Sequence, residues 1–202
     1  MKLHTNPVTP NHRRTAVFLA EKGVELPTVE VDIQGGENIQ GPFLSKNPFG
    51  RIPVLELDDG TFISESVAIC RYFEETHPEP PLFGSTPVER AQVEMWNRRA
   101  ELNLMMNVAQ AFRNITGFFK DRETCVAEWG QVCAKVANET VPLFDARLGE
   151  SEYLAGDSFS IADITLATTL AFGQSVKVLE ISEDLSNLAR WREQVTARPS
   201  FG

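Results

Sequence analysis

The pattern of hydrophobic and polar residues predicts strands mixed with helices in the first part of the chain. The segment 3–5 is a candidate for a short strand and the alternation over 28–33 indicates a second one, whereas the apolar spacing over 16–23 indicates an amphipathic helix. Lys22-Gly23 is a reasonable end for this helix. The strand–helix–strand order predicts a right-handed crossover connection, which joins two parallel strands.

Two further strands and a second helix are predicted next. The run 54–63, VLELDDGTFI, indicates a hairpin whose Asp59-Gly60 pair is typical of a type I′ turn. Apolar residues recur at helical spacing after Ser66, which predicts a helix there. Between these parts, the glycine-rich segment 34–51 is predicted to be a mobile surface loop.

A cluster of prolines divides the chain. Four prolines and Gly84 fall between Pro78 and Pro87, and such a sequence cannot form a regular helix. We therefore predict a first domain over 1–77, a linker over 78–87 and a second, all-helical domain over 88–202. Within the second domain, Ser160 and Asp163 have the spacing of a capping box, which we interpret as structural.

One helix of the second domain carries an apolar stripe with two possible roles. Its members recur at helical spacing: Leu102, Met105, Met106, Ala109 and Phe112. They can form the core of a helical bundle. Alternatively, Met105, Met106, Ala109 and Phe112 can line a pocket for an apolar substrate, because methionine adapts to varied ligands. Different faces can serve each role.

Composition and charge exclude several classes of protein. The net charge is −9 and no dense Lys/Arg block occurs, which disfavours nucleic acid and anionic membrane surfaces as partners. The first residues lack a hydrophobic signal region, and no apolar stretch is long enough to span a bilayer. Three cysteines without metal-ligand spacing predict no metal site and fit a reducing, cytoplasmic environment.

The region around Ile52-Pro53 and Glu65-Ser66 is suited to binding a small peptide. A cis bond before Pro53 would turn the backbone N–H and C=O of Ile52 towards a ligand. A helix that begins near Ser66 would favour a carboxylate, and Glu65 would favour an ammonium group. A ligand that ends in an α-amino acid group carries both the carboxylate and the ammonium. The alternative is that Ser64 or Ser66 only caps the helix and Glu65 only complements its dipole.

Thr9 is the main candidate for chemistry. Thr9 followed by Pro10 is a strong helix-start signal, so a purely capping role remains open. In the functional alternative, the Thr9 hydroxyl and the first helical N–H groups stabilise the thiolate of a bound thiol. Asn11 can donate an amide N–H to the same sulfur.

The chain resembles the cytosolic glutathione S-transferase family. The resemblance rests on Asn47-Pro48, Gly50, Ile52-Pro53, Asp59-Gly60, Glu65-Ser66 and Ala68-Ile69. It implies an α/β thioredoxin-like N-terminal domain followed by an all-α helical bundle. It also implies a cis Pro53, an Ile52 backbone that pairs with the cysteinyl part of glutathione, and a γ-glutamyl end held by Glu65 and Ser66. Gln40 and Arg51 are the implied partners of the glycyl carboxylate.

The same resemblance predicts the activity. Thr9 lies where Ser-type members place their serine, and Thr9-Pro10-Asn11 is similar to the bacterial nu class, in which disulfide-bond reductase activity is known. The implied activity is conjugation of the cosubstrate glutathione to a small hydrophobic electrophile, as in detoxification. Glutathione-dependent disulfide reduction and glutathione binding without turnover are the alternatives. The family usually forms homodimers. No cysteine lies in the Thr9 loop, which disfavours a mechanism through a protein thiol.

Overall fold

The computed structural model describes all 202 residues, which divide into two compact units, Met1–Pro81 and Leu82–Gly202. The division falls inside the segment 78–87 that the prolines mark as a linker. The domain limits 1–77 and 88–202 stay predictions.

The first unit is a four-stranded mixed sheet with helices. Its elements are β1 Lys2–Thr5, α1 Pro10–Glu21, β2 Thr28–Glu30, a 3₁₀ helix Glu37–Ile39, α2 Gly41–Leu44, β3 Val54–Glu56, β4 Phe62–Ser64 and α3 Ser66–Thr76. The strand order is β2-β1-β3-β4. β1 pairs with β2 in parallel, as the strand–helix–strand pattern predicts, and the other pairs are antiparallel. This is the thioredoxin-like arrangement.

The hairpin forms where predicted, but its turn is not of type I′. Type I′ needs a positive φ at both central residues, and in this connection only Gly60 has one (+86°). Instead, the Gly60 N–H donates to the Leu57 carbonyl (3.1 Å) and the Leu57 N–H donates to the Thr61 carbonyl (2.9 Å). This is the longer hairpin loop with a glycine bulge, which the same Asp-Gly sequence also favours.

The glycine-rich segment is not the loop that its composition predicts. It contains the 3₁₀ helix and α2, and Asn38 and Phe43 within it are buried. Phe43 packs with Val31 and Val54, and Ile52 lies against this cluster. Burial of apolar side chains therefore overrides the glycine content here.

A buried lysine holds the end of the first unit. The Lys22 side chain is 0% exposed, and its ammonium lies 2.6 Å from the Glu74 carboxylate in α3. It also donates to the carbonyls of Pro78 (3.3 Å) and Pro80 (2.5 Å). Three oxygen partners compensate the loss of hydration of the charge. Lys22 therefore links the end of α1 to the proline-rich segment.

The second unit is all helical. Its elements are α4 Pro87–Arg99, a π-helix Ala100–Met105, α5 Met106–Thr116, α6 Ala127–Leu148, α7 Ile161–Ser175, α8 Ser186–Thr196 and a final 3₁₀ helix Pro199–Phe201. α7 is the central helix, because every residue from Ile161 to Leu170 is buried. No helix of the protein combines the length and the apolar character that crossing a bilayer requires.

Asp163 holds α7 more firmly than a simple cap would. The predicted capping box is confirmed: Ser160 and Asp163 exchange the two expected hydrogen bonds. The fully buried Asp163 carboxylate also accepts hydrogen bonds from the Leu154 N–H (3.0 Å) and the Trp191 indole (2.9 Å). Burial raises the pKa of Asp163, and the surrounding donors act against that increase. One carboxylate thus joins α7 to α8 and to the preceding loop.

The π-helix changes which residues of the apolar stripe face the core. The Met106 N–H donates to the Glu101 carbonyl, five residues earlier, so the chain takes one wide turn before α5. Leu102 and Met106 are half-exposed (50% and 48%), whereas Met105 is buried. An uninterrupted α-helix was the basis for placing all five residues on one face, and the wide turn breaks that register.

Candidate functional site

The start of α1 is built around Thr9. Thr9 is the N-cap, with Pro10 at the first helical position, and its hydroxyl oxygen accepts a hydrogen bond from the His12 N–H (3.3 Å). The Thr9 hydroxyl itself donates to the Asn6 carbonyl (2.9 Å). A hydroxyl has one proton, so Thr9 can donate to a bound sulfur only after this bond is broken. The donor role of Thr9 stays a prediction.

Asn6 fixes the loop that carries Thr9, and it was not among the residues predicted for the site. Its side-chain oxygen accepts from the Val8 N–H (3.3 Å), and its amide donates to the Val31 carbonyl (3.1 Å). Its carbonyl also accepts from the Thr9 N–H (3.2 Å). The Asn-Pro dipeptide is a turn signal, but the partner at Val31 lies 25 residues away.

His12 lies in the first turn of α1, next to Thr9. Its Nδ1 is 3.0 Å from the Thr5 hydroxyl at the end of β1. Burial lowers the pKa of His12, and the charge of Arg13 lowers it further. The imidazole is therefore biased towards its neutral form, which avoids a second cation beside the helix start.

The N-terminus of α3 has an unusual backbone conformation and no side-chain cap. Glu65 is the N-cap and has φ +69°, ψ 117°, a conformation that residues other than glycine rarely adopt. No side chain caps the helix, so the interpretation that Ser64 or Ser66 merely caps it is wrong. Such strain costs about 1–3 kcal/mol and is concentrated at ligand sites. Because no side chain caps these first N–H groups of α3, they are suited to binding the carboxylate of a ligand.

Ser66 connects the two helix starts. It is 5% exposed, and its hydroxyl oxygen accepts a hydrogen bond from the Arg14 guanidinium of α1 (3.0 Å). The same hydroxyl donates to Asn11 Oδ1 (3.4 Å). The first turns of α1 and α3 therefore lie side by side, although Asn11 and Ser66 are 55 positions apart.

The Ile52–Pro53 peptide bond is cis, as the family resemblance implies. Two buried asparagines fix the chain just before it. Asn47 donates to the Arg51 carbonyl (2.8 Å), and Asn38 donates to the Gly50 carbonyl (2.7 Å). The geometry of the Ile52 backbone thus depends on side chains from the segment that was predicted to be mobile.

The remaining predicted residues lie in both units. Gln40 precedes α2 and, like Arg51, has an exposed side chain. In the second unit, Ala109 and Phe112 are partly buried on α5, and the Phe112 ring lies 5.5 Å from the rings of Phe118 and Phe172. Contacts of Gln40 and Arg51 with glutathione, and the substrate pocket, stay predictions. No group of three or more His, Cys, Asp or Glu is placed to hold a metal ion.

The fold and the site together define a class. A thioredoxin-like unit with a cis-proline and an open α3 start, followed by a helical unit, is the architecture of glutathione-dependent transferases. The "Glutathione S-transferase, N-terminal domain" family matches residues 3–81, and the "Glutathione S-transferase, C-terminal domain" family matches residues 131–199. The chain belongs to the glutathione S-transferase family.

Individual relatives match over nearly the full length. Glutathione S-transferase 2 of Saccharomyces cerevisiae is 38% identical over 204 residues, which cover 99% of this chain and 87% of the yeast protein. The crystal structure of a glutathione S-transferase domain-containing protein from Marinobacter aquaeolei VT8 is similar with a TM-score of 0.96 and 40% identity, covering 100% of both chains. A class Gtt2 glutathione S-transferase of Vibrio parahaemolyticus has a TM-score of 0.88 and 44% identity, covering 100% of this chain and 95% of the Vibrio chain.

Proposed function

We propose that this protein conjugates glutathione to small hydrophobic electrophiles. The observation that carries the proposal is the contact between the first turns of α1 and α3 through Asn11 and Ser66. Two helix starts side by side offer one N–H cluster for a carboxylate and another for a thiolate. Glutathione has both groups within one short peptide.

Each part of glutathione has a proposed partner in the first unit. The α-carboxylate of the γ-glutamyl end binds the N–H groups at Ser66, and Glu65 binds its ammonium. The Ile52 backbone, held in place by Pro53, pairs with the cysteinyl residue. Gln40 and Arg51 bind the glycyl carboxylate.

The proposed chemistry is thiolate stabilisation by Thr9, Asn11 and the start of α1. A free thiol has a pKa of about 8.5, and a depression of about two units makes the thiolate dominant at neutral pH. The thiol proton goes to solvent, the sulfur forms a bond to the electrophilic carbon, and the leaving group departs with its bonding electrons. The electrophile contacts Met105, Met106, Ala109 and Phe112.

Titration with glutathione, followed by the ultraviolet absorbance of the thiolate, tests the proposal. We expect a depressed thiol pKa in the complex and turnover of a chloroaromatic electrophile. Turnover of hydroxyethyl disulfide alone would instead identify a disulfide reductase, in which glutathione displaces a thiolate and a second glutathione releases oxidised glutathione. Binding with an unshifted thiol would identify a binding module, and no binding at millimolar glutathione would refute all three functions.

The proposal extends to the assembly and the setting of the enzyme. We propose a cytoplasmic homodimer that acts in detoxification, as is usual in the family. Sedimentation of the purified protein tests the dimer, because a monomer at micromolar concentration contradicts it.

A further inference from the structure

Arg14 is a buried cation whose role the proposed chemistry does not yet include. It lies on α1, is 1% exposed, and directs Nη1 at the Ser66 hydroxyl oxygen (3.0 Å). A guanidinium can only donate hydrogen bonds, so Ser66 must accept this one. Burying such a charge is costly, so Arg14 must be held by hydrogen bonds, and the one to Ser66 reaches the start of α3.

The bond from Arg14 determines what the Ser66 hydroxyl can do. A lone pair of the oxygen is taken up by Arg14, and the single proton points to Asn11 Oδ1 at 3.4 Å. This distance is long for a bond between oxygens, and bonds of this kind commonly shorten when a ligand binds. In this pair the Ser66 hydroxyl is the donor and Asn11 Oδ1 is the acceptor.

The donation from Ser66 in turn fixes the side chain of Asn11. An asparagine amide has an acceptor oxygen on one side and a donor nitrogen on the other. When Oδ1 faces Ser66, Nδ2 faces the opposite side, in the first turn of α1 and two residues from Thr9. The Thr9 proton is engaged by the Asn6 carbonyl (2.9 Å), so the Asn11 amide, unlike the Thr9 hydroxyl, can donate to a bound sulfur without first losing this bond.

We propose that Arg14 is a positioning residue that acts through Ser66 to present Asn11 Nδ2 to the glutathione sulfur. The inference rests on the proposed function, because it needs glutathione as the ligand. It also couples the two ends of the ligand: Ser66, which grips the γ-glutamyl end, sets the donor that stabilises the thiolate. A role of Arg14 in stability alone predicts no such coupling.

The test is a double-mutant cycle on the thiol pKa of bound glutathione, measured at saturating glutathione by thiolate absorbance. Ser66→Ala keeps the backbone N–H and removes the hydroxyl. We expect this variant to raise the thiol pKa by about half to one unit, which is roughly a three- to tenfold loss of thiolate at pH values below the pKa. In the Asn11→Ala background, Ser66→Ala should have little further effect. Ser64→Ala, a neighbouring hydroxyl at the end of β4, is the matched control and should leave the pKa unchanged.

Arg14→Met is measured in the same way, because it removes the first donor of the chain of bonds. We expect a raised thiol pKa that is smaller in the Asn11→Ala background, where only the loss of positive charge remains. If Arg14→Met does not fold, Arg14→Lys, which keeps the charge and removes the guanidinium, is measured in its place and is judged by the same dependence on Asn11. Equal shifts of the thiol pKa in the native and the Asn11→Ala backgrounds would overturn the positioning role while leaving the transferase function intact. Failure of the unmodified protein to bind glutathione would overturn both.

Discussion

Replacing Asp163 with alanine removes one buried carboxylate and leaves its hydrogen-bond donors without an acceptor. Its donors are the Leu154 N–H, the Ser160 N–H and hydroxyl, and the Trp191 indole, at 2.9–3.0 Å. An ordinary N-cap contributes about 1 kcal/mol. Each buried donor left without a partner costs about 1–3 kcal/mol. Two backbone amides and the indole lose their acceptor in this variant, so we expect the free energy of unfolding to fall by about 4–6 kcal/mol.

Chemical denaturation followed by circular dichroism measures this loss. Because small domains are stable by only about 5–15 kcal/mol, Asp163→Ala should remove much of the stability of the helical unit. Trp191→Phe removes one donor and should cost about 1–3 kcal/mol. The exposed Asp157→Ala is the control and should change stability by less than about 0.5 kcal/mol. A loss near 1 kcal/mol for Asp163→Ala would refute the reasoning, because it would make Asp163 an ordinary cap.

Three further predictions concern stability. Lys22→Met should cost about 3–5 kcal/mol in denaturant unfolding, because it removes a buried cation that binds Glu74 and the carbonyls of Pro78 and Pro80; a loss below about 1 kcal/mol would contradict this. Hydrogen bonds from His4 and Lys2 lower the pKa of Glu56 from 4.5 to about 2, so Glu56 stabilises the fold above pH 4.5 and this stabilisation is lost as the pH falls towards 2. Glu56→Gln should flatten the pH dependence of stability in that range, and an unchanged profile would be inconsistent with the shift. Gly130→Ala should cost about 1–3 kcal/mol, because its Cβ would lie 2.8 Å from an Ile115 side-chain carbon; Gly41→Ala, with no atom within 4 Å, is the neutral control.

Local signals in the sequence predicted most elements of the first unit. Thr9-Pro10 as a helix start, the parallel strands and the hairpin position depend on neighbouring residues and are therefore visible in the pattern. The turn type was wrong because an Asp-Gly pair fits two kinds of hairpin loop. The segment 34–51 was wrong because its two short helices depend on burial of Phe43 and Asn38 rather than on local preference.

The contacts that organise the site lie beyond what the pattern shows. Arg14 and Ser66 are 52 positions apart, and nothing in either local sequence marks the other. The Trp191 indole likewise reaches Asp163 from 28 positions away. The direction of the Thr9 proton is likewise a property of the folded loop, since it depends on the position of the Asn6 carbonyl. Residue types predicted the candidates, and the fold determines their partners.

The wide turn at Ala100–Met105 has a consequence for changes in chain length. A π-turn holds one residue more than an α-turn, so deleting a single residue there would join α4 and α5 into one regular helix. The rotation of about 100° lost with that residue would be regained as the turn narrows, so α5 would keep its orientation relative to α4. The Phe112 ring would therefore still face Phe172, whereas a deletion between the wide turn and Phe112 would rotate that ring by about 100°. The wide turn thus lets the chain carry one additional residue without changing which side of α5 faces the core.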